Sequence, residues 1–283
     1  MASVPWYLWV LAVVEVGLIL LAVARAFRTS ATAVGVEGRA ALRLAVVFAA
    51  GYAGWVLVTA ALAGAHVYRF ESDATKPWLA LGFAVPVIGL LLLARLPIAR
   101  RVLSDPRILS RLTQPHQVRV GGLVFLIALA VGQLPAAFAL PAGLGDIAIG
   151  LAAPWVARGL RDGDGIRRAF WFNVAGLADF AVAFAIGFLA APGRQQILHL
   201  APTTQQISVL PLVLIPTAGV PLLFALHVIS LVKLRAGART RATAVPGPLP
   251  VPVAVSDAVS DAVADAVADA VADAHAGIGS GPE

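Results

Sequence analysis

The sequence predicts an all-α integral membrane protein with seven transmembrane helices. Its composition is 60% hydrophobic and only 13% charged, whereas soluble domains average roughly 45–50% and about 25%. It also contains apolar runs of about the length that crosses a bilayer as a helix, and its basic residues alternate between the connections of those runs. Because backbone polar groups in lipid must bond internally, such continuous runs form helices, whereas membrane barrels show short alternating strands.

Seven apolar runs define the predicted spans. The first is interpreted as an uncleaved anchor, because arginines follow it and aromatic residues at its start suit the outer interface. Between the fourth and fifth runs, the segment from Gln133 to Pro141 is predicted to be a tight outer turn. The predicted spans are residues 5–24, 44–65, 77–94, 120–138, 139–157, 169–191 and 207–232.

The positions of the basic residues predict the orientation. Eighteen Lys and Arg residues follow the odd-numbered runs and three follow the even-numbered ones. This positive-inside pattern places the N-terminus outside and the C-terminus in the cytoplasm. It predicts a multi-pass cell-membrane protein, and the Arg- and Ala-rich composition indicates a bacterial inner membrane. The net charge of +6 therefore reflects short loops beside the lipid bilayer, and no nucleic-acid partner is expected. The oligomeric state is not predicted.

The chain changes character after the predicted seven-helix domain, residues 1–242. Residues 243–283 begin with a proline-rich linker and continue as a low-complexity Ala/Val/Asp repeat. Carboxylates at four-residue spacing oppose helix formation, so this tail is predicted to be mostly disordered. The alternative is an acidic helix that docks on the basic cytoplasmic loops. The repeated carboxylates are Asp257, Asp261, Asp265, Asp269 and Asp273.

Two pairs of segments suggest a parallel repeat of three helices, one linker helix and three helices. Gly51 and Gly176 follow an arginine at equal spacing, and each starts a Gly-x-Ala segment that ends in an aromatic residue. Val-Pro pairs at Pro86 and Pro221 precede similar Leu-rich stretches. Chance alignment of apolar helices remains the alternative. Both prolines, with Pro216, are expected to kink their helices.

Ionisable residues inside predicted spans are the candidate functional residues, because such groups are expensive in lipid and usually face the bundle interior. Each also has a structural interpretation, as a cap, a hydrogen-bonding partner or a buried histidine. The ionisable candidates have two neutral polar companions. The candidate solute- or ion-binding residues are Glu15, Gln133, Asp146, Asn173, Asp179 and His227.

Asp146 and Asp179 have the most suggestive surroundings. Gly143 and Gly145 precede Asp146, which permits either close helix approach or local unwinding of the kind that transporters use beside a carboxylate. Asn173 and Gly176 lie on one face of their predicted helix, and Asp179 lies beside that face. This pattern fits a helix–helix contact that carries a polar pair.

Several chemistries are disfavoured. The chain contains no cysteine, which excludes disulfides, thiolate metal sites and cysteine nucleophiles. Neither a phosphate-binding Gly-x-x-x-x-Gly-Lys loop nor a Gly-x-Ser-x-Gly elbow occurs. No metal or cofactor is expected, and an enzyme is less favoured than a non-enzyme.

Three functions follow from these features. The first is a small secondary carrier or channel-like protein that uses intramembrane carboxylates to bind a proton, a cation or a polar solute. The second is a structural or assembly membrane protein whose polar residues join helices. The third is an intramembrane enzyme that modifies lipid.

Overall fold

A computed structural model describes residues 4–71 and 78–243, with side chains up to residue 237. The chain divides into two units, residues 1–236 and residues 237–283. All regular elements of the described residues are helices. The α-helices are α1 Trp6–Ala33, α2 Gly38–Gly64, α3 Trp78–Leu93, α4 Pro97–Val102, α5 Ile108–Thr113, α6 Leu123–Ala130, α7 Ala136–Arg161, α8 Ile166–Leu189 and α9 Val220–Thr243.

Five helical segments among the described residues are long and apolar enough to cross a membrane. They are α1, α2, α7, α8 and the segment Ile215–Gly237, which includes the first part of α9. Many of their large apolar side chains are exposed, for example Leu21 and Leu57 at 65% and 71%. Apolar side chains at the surface of long apolar helices are typical of contact with a lipid bilayer. The fold is therefore that of an all-helical membrane protein.

The third and fourth predicted spans differ from these five. The third is the 16-residue helix α3, shorter than the roughly 17–25 residues of an ordinary span. The predicted run 120–138 begins within a 3₁₀ helix, Gln114–Gly122, and its α-helical part, α6, has only 8 residues. The described residues thus contain five helices long enough to cross a membrane, one shorter apolar helix and one composite segment, and the number of seven spans stays a prediction.

The turn between the fourth and fifth runs lies earlier than the sequence predicted. The chain leaves α6 at Gly132, which has a positive φ of 70°, and the Gln133 N–H donates to the Ala128 carbonyl at 2.8 Å. This is the usual glycine-terminated helix end. Because Pro135 directly precedes α7, Pro141 and Asp146 lie inside a continuous helix. The predicted turn up to Pro141 and the local unwinding near Asp146 were wrong.

A face of small residues on α7 holds the 3₁₀ helix close. A Cβ atom added at Gly150 would lie 2.6 Å from the Val120 nitrogen, and one added at Gly143 would lie 3.0 Å from the Gly122 carbonyl oxygen. Asp146 lies between these glycines on the same face of α7. The backbones of the two elements therefore meet directly, with Asp146 at their contact.

A π-helical turn, Ile215–Gly219, precedes α9. Pro221 has no N–H, so the Thr217 carbonyl loses its usual partner four residues later. The Trp55 indole donates to this carbonyl at 2.8 Å, and the Tyr52 hydroxyl donates to the Ala218 carbonyl at 2.7 Å. Two aromatic side chains of α2 thus satisfy carbonyls in an apolar setting where few other donors are available. The expected irregularity at Pro216 and Pro221 takes the form of this turn.

Arginines of three odd-numbered connections come together at one end of the first unit. Arg25, Arg107 and Arg161 line a single cavity there. This clustering agrees with the alternation of charge along the chain, while the side of the membrane that this end faces stays a prediction.

The parallel repeat also stays a prediction. The two glycines that suggested it have different surroundings: Gly51 has open space beside it, whereas Gly176 packs on His227. The predicted tail lies almost entirely outside the described residues.

We expect Trp55→Phe to destabilise the protein by about 1 kcal/mol, because it leaves the Thr217 carbonyl without its indole donor. The measurement is reversible unfolding in mixed detergent micelles. Trp171→Phe is the matched control, since Trp171 is 58% exposed. Equal stability of the two variants would show that the indole bond does not support the π-helical turn.

Candidate functional site

Arg119 is the centre of a buried polar cluster. It belongs to the 3₁₀ helix and its side chain is 1% exposed. Its Nε donates to Asp146 of α7 at 2.6 Å, and its NH2 group donates to Asp179 of α8 at 2.5 Å. Its NH1 group lies 3.1 Å from His227 Nε2 of α9. One guanidinium therefore links three long helices.

The direction of these bonds fixes the form of His227. A guanidinium only donates hydrogen bonds, so His227 Nε2 accepts from Arg119. His227 Nδ1 then carries the hydrogen and donates to Asn173 Oδ1, 2.8 Å away. Asn173 in turn donates through Nδ2 to the Ala169 carbonyl at 2.7 Å. The neutral His227 ring thus connects the charged centre, through Asn173, to the backbone of α8 by hydrogen bonds.

Aromatic rings enclose the charged centre. The Arg119 guanidinium carbon lies 4.0 Å from the centre of the Phe180 ring, a favourable cation–π distance. His116 stacks on His227, with ring centres 3.9 Å apart. Within the described residues, both ring nitrogens of His116 lack a hydrogen-bond partner although the residue is 1% exposed. His116 therefore offers an unused polar edge inside the bundle.

Glu15 of α1 contributes a third carboxyl group. The residue is 7% exposed, and among the described atoms its Oε2 has no hydrogen-bond partner. It interacts electrostatically with Arg119 and Asp146. A Cβ atom added at Gly121, two residues after Arg119, would lie 2.8 Å from the Glu15 carboxyl carbon. Glu15 thus reaches the 3₁₀ helix beside the cluster.

Glycines make room for the charged side chains. A Cβ atom added at Gly145 would overlap the Asp179 carboxyl, and one at Gly176 would overlap the His227 ring. A Cβ atom at Gly122 would overlap Asp146. Each glycine lets a neighbouring helix bring a polar side chain against the backbone. The expectation of close approach near Gly145 describes this arrangement, since Gly145 contacts Asp179.

The structure brings together five of the six residues proposed from the sequence. Glu15, Asp146, Asn173, Asp179 and His227 surround Arg119, with Asn173 bonded through His227. Gln133 is buried in the connection between α6 and α7, and none of the hydrogen bonds described for this cluster involves it. Asn173, Gly176 and Asp179 were expected to mark a helix–helix contact; in the structure Gly176 lies against the His227 ring, Asn173 bonds His227 and Asp179 bonds Arg119.

Sequence reasoning missed Arg119 and His116. Arg119 was expected in a cytoplasmic loop with the other arginines before the fourth run, but the structure buries it. Arg119 directly precedes the predicted run 120–138, and the predicted spans contain three carboxyl groups without a cation. That imbalance was the signal, because buried charges in membranes are paired. His116 lies outside every predicted span, in the connection before the fourth run.

The cluster contains more acidic than basic groups. If Glu15, Asp146 and Asp179 were all ionised, the single charge of Arg119 would leave two negative charges unbalanced. An unpaired buried charge costs several kcal/mol. The arrangement therefore retains bound protons or attracts cations. Asp179 is the most exposed of the three carboxyl groups in the cluster.

Comparison with known proteins gives a family without an assigned activity. Residues 76–235, more than half of the chain, match the family described as Domain of unknown function (DUF8737). This range includes every member of the cluster except Glu15. No curated protein matches, and no solved structure matches. Within the described residues, no group of three His, Asp or Glu side chains is placed to hold a metal ion.

We expect Gly145→Ala to destabilise the protein by roughly 1–3 kcal/mol, because its methyl group would displace the Asp179 carboxyl from Arg119. Gly54→Ala is the control: its added Cβ meets no atom within 4 Å, and alanine favours the helix. Unfolding in detergent measures both. A Gly145→Ala protein as stable as the Gly54→Ala protein would contradict the close contact between α7 and α8.

Proposed function

The chain belongs to the DUF8737 family, and we propose from its own residues that it is a small secondary carrier for a proton or a small cation. The observation that supports this is the surplus of carboxyl groups around Arg119. Glu15, Asp146 and Asp179 compete for one guanidinium inside a helical bundle. A site that needs an additional positive charge to be neutral is suited to binding and releasing one.

The proposed cycle exchanges partners of Arg119. When a proton or cation binds the more accessible Asp179, its bond to Arg119 weakens and the guanidinium remains paired with Asp146. Release restores the bond between Arg119 and Asp179. His227 holds the third side of the guanidinium in both states, which limits the movement of Arg119 while its carboxylate partners change.

Two irregular helices provide places where the bundle can move. The 3₁₀ helix carries Arg119, and the π-helical turn precedes the helix that carries His227. Mid-chain 3₁₀ segments and π-helical turns often mark functional hinges. Discontinuous helices beside an intramembrane site are also a recurrent feature of carriers. Movement at these two elements would expose the cluster to alternate sides.

A structural protein is the second candidate, because Arg119 is bonded to three partners. A guanidinium that is bonded through all three of its nitrogens can simply join α7, α8 and α9. The two functions differ in the effect of Asp146→Asn. A carrier loses flux but keeps its fold, since Asp179 alone still balances Arg119. In a structural protein that depends on the Asp146 bond, the same change loosens the bundle.

We expect wild-type protein in liposomes to dissipate an imposed pH gradient, and Asp146→Asn to slow this flux by at least about tenfold, because Arg119 then lacks its second bonded carboxylate and stays paired with Asp179. A trapped pH-sensitive dye reports the rate, with a K⁺ diffusion potential to compensate charge. Asp162→Asn is the matched control, an exposed carboxylate at the end of α7.

A wild-type rate equal to that of protein-free liposomes would reject the carrier for protons. Replacing the pH gradient by gradients of Na⁺ and K⁺ tests the small cations in the same vesicles. No flux in all three gradients, together with a lower melting temperature for Asp146→Asn than for Asp162→Asn, would establish the structural function instead.

A further inference from the structure

A basic cavity lies at the end of the first unit where the arginine-rich connections meet. Its volume is about 430 Å³. The described lining includes Arg25, Arg107, Arg111 and Arg161 and contains no carboxylate. Arg111 pairs with Asp105 at 2.7 Å. Among the described residues, the other three arginines have no ion pair, so this cavity has an excess of positive charge.

Hydrogen-bonding groups accompany these arginines. Gln114 and Gln117 line the cavity and are exposed. Both belong to the 3₁₀ helix that carries Arg119. Several converging guanidinium and amide donors suit an anion with several oxygen atoms, such as a phosphate group.

A second, apolar cavity adjoins the basic one. Its volume is about 610 Å³, and it lies between α1, α2, α3 and α9. Ala26 and Pro115 line both cavities. Exposed side chains of α2 and α3, including Val47 and Val85, form part of its wall. The apolar cavity therefore opens at the apolar surface of the protein and ends at the basic cavity.

We propose that the two cavities together bind one anionic phospholipid, with its phosphate headgroup among the arginines and an acyl chain in the apolar cavity. A free anion would leave the apolar cavity unused, and an acidic peptide would not fill it. Basic pockets at helix ends are known to suit anionic lipid headgroups. A volume of several hundred Å³ is adequate for a ligand with an apolar chain.

The headgroup half of the proposal is tested by binding to the full chain in neutral detergent. The probes are dioctanoyl phosphatidic acid, dioctanoyl phosphatidylcholine and inorganic phosphate. We expect phosphatidic acid to bind at least about tenfold more tightly than either other probe. The double variant Arg107→Gln/Arg161→Gln should weaken this binding at least about tenfold. The control Arg100→Gln/Arg158→Gln removes the same charge from exposed positions outside the cavity and should change the affinity less than about twofold.

The acyl-chain half is tested by filling the apolar cavity. Gly89 lines it, and a Cβ atom added there meets no atom within 4 Å. Gly89→Leu should therefore fold, keep the wild-type melting temperature and weaken phosphatidic acid binding about tenfold. Gly17→Leu, in similarly open space on α1 outside the cavity, is the control and should leave binding unchanged.

Three results would overturn the proposal. Phosphate binding as tightly as phosphatidic acid, or phosphatidic acid binding that is unaffected by Gly89→Leu, would show an anion site without lipid. Equal weakening by both double arginine variants would show unspecific charge attraction.

Discussion

The guanidinium of Arg119 is the constraint on which the polar centre depends. A buried cation needs carboxylate and hydrogen-bonding partners on several sides, because unpaired charge in an apolar bundle is costly. Asp146, Asp179 and His227 supply those partners from three helices. The helices can approach closely enough only where they lack side chains, which explains the glycines against these groups. The close packing of these helices therefore allows the charge pairing of Arg119, and the charge pairing requires the close packing.

Two irregular helices accompany this polar centre. The 3₁₀ helix that holds Arg119 lies against the small-residue face of α7. Its backbone occupies the space that larger side chains of α7 would otherwise fill. The π-helical turn before α9 leaves carbonyls that Trp55 and Tyr52 satisfy. These two bonds keep backbone carbonyls of the π-helical turn satisfied in an apolar environment. Arg119 lies within one irregular segment, and His227 lies in the helix that follows the other.

The sequence predicted the membrane class and most of the polar centre, because both depend on local signals. Long apolar runs specify helices, and Asp146, Asp179 and His227 stand out against them. It could not predict which cation pairs with these carboxylates, since Arg119 lies at the edge of a run and resembles its loop neighbours. The position of the turn near Gly132 was also missed, because Pro141 appeared to be a helix breaker. Tertiary contacts, rather than local pattern, decided both features.

The tautomer of His227 tests the central claim most directly, because the bond from Arg119 to Nε2 and the bond from Nδ1 to Asn173 both require the hydrogen on Nδ1. Nitrogen NMR of protein with isotope-labelled histidine rings distinguishes the tautomers, and His227→Asn assigns the signal. The account predicts a neutral ring with hydrogen on Nδ1 at neutral pH, and an Nε2 signal that shifts in Arg119→Gln because the guanidinium donor is lost. Hydrogen on Nε2 in the wild-type protein, or a spectrum that Arg119→Gln leaves unchanged, would contradict the pairing of Arg119 with His227.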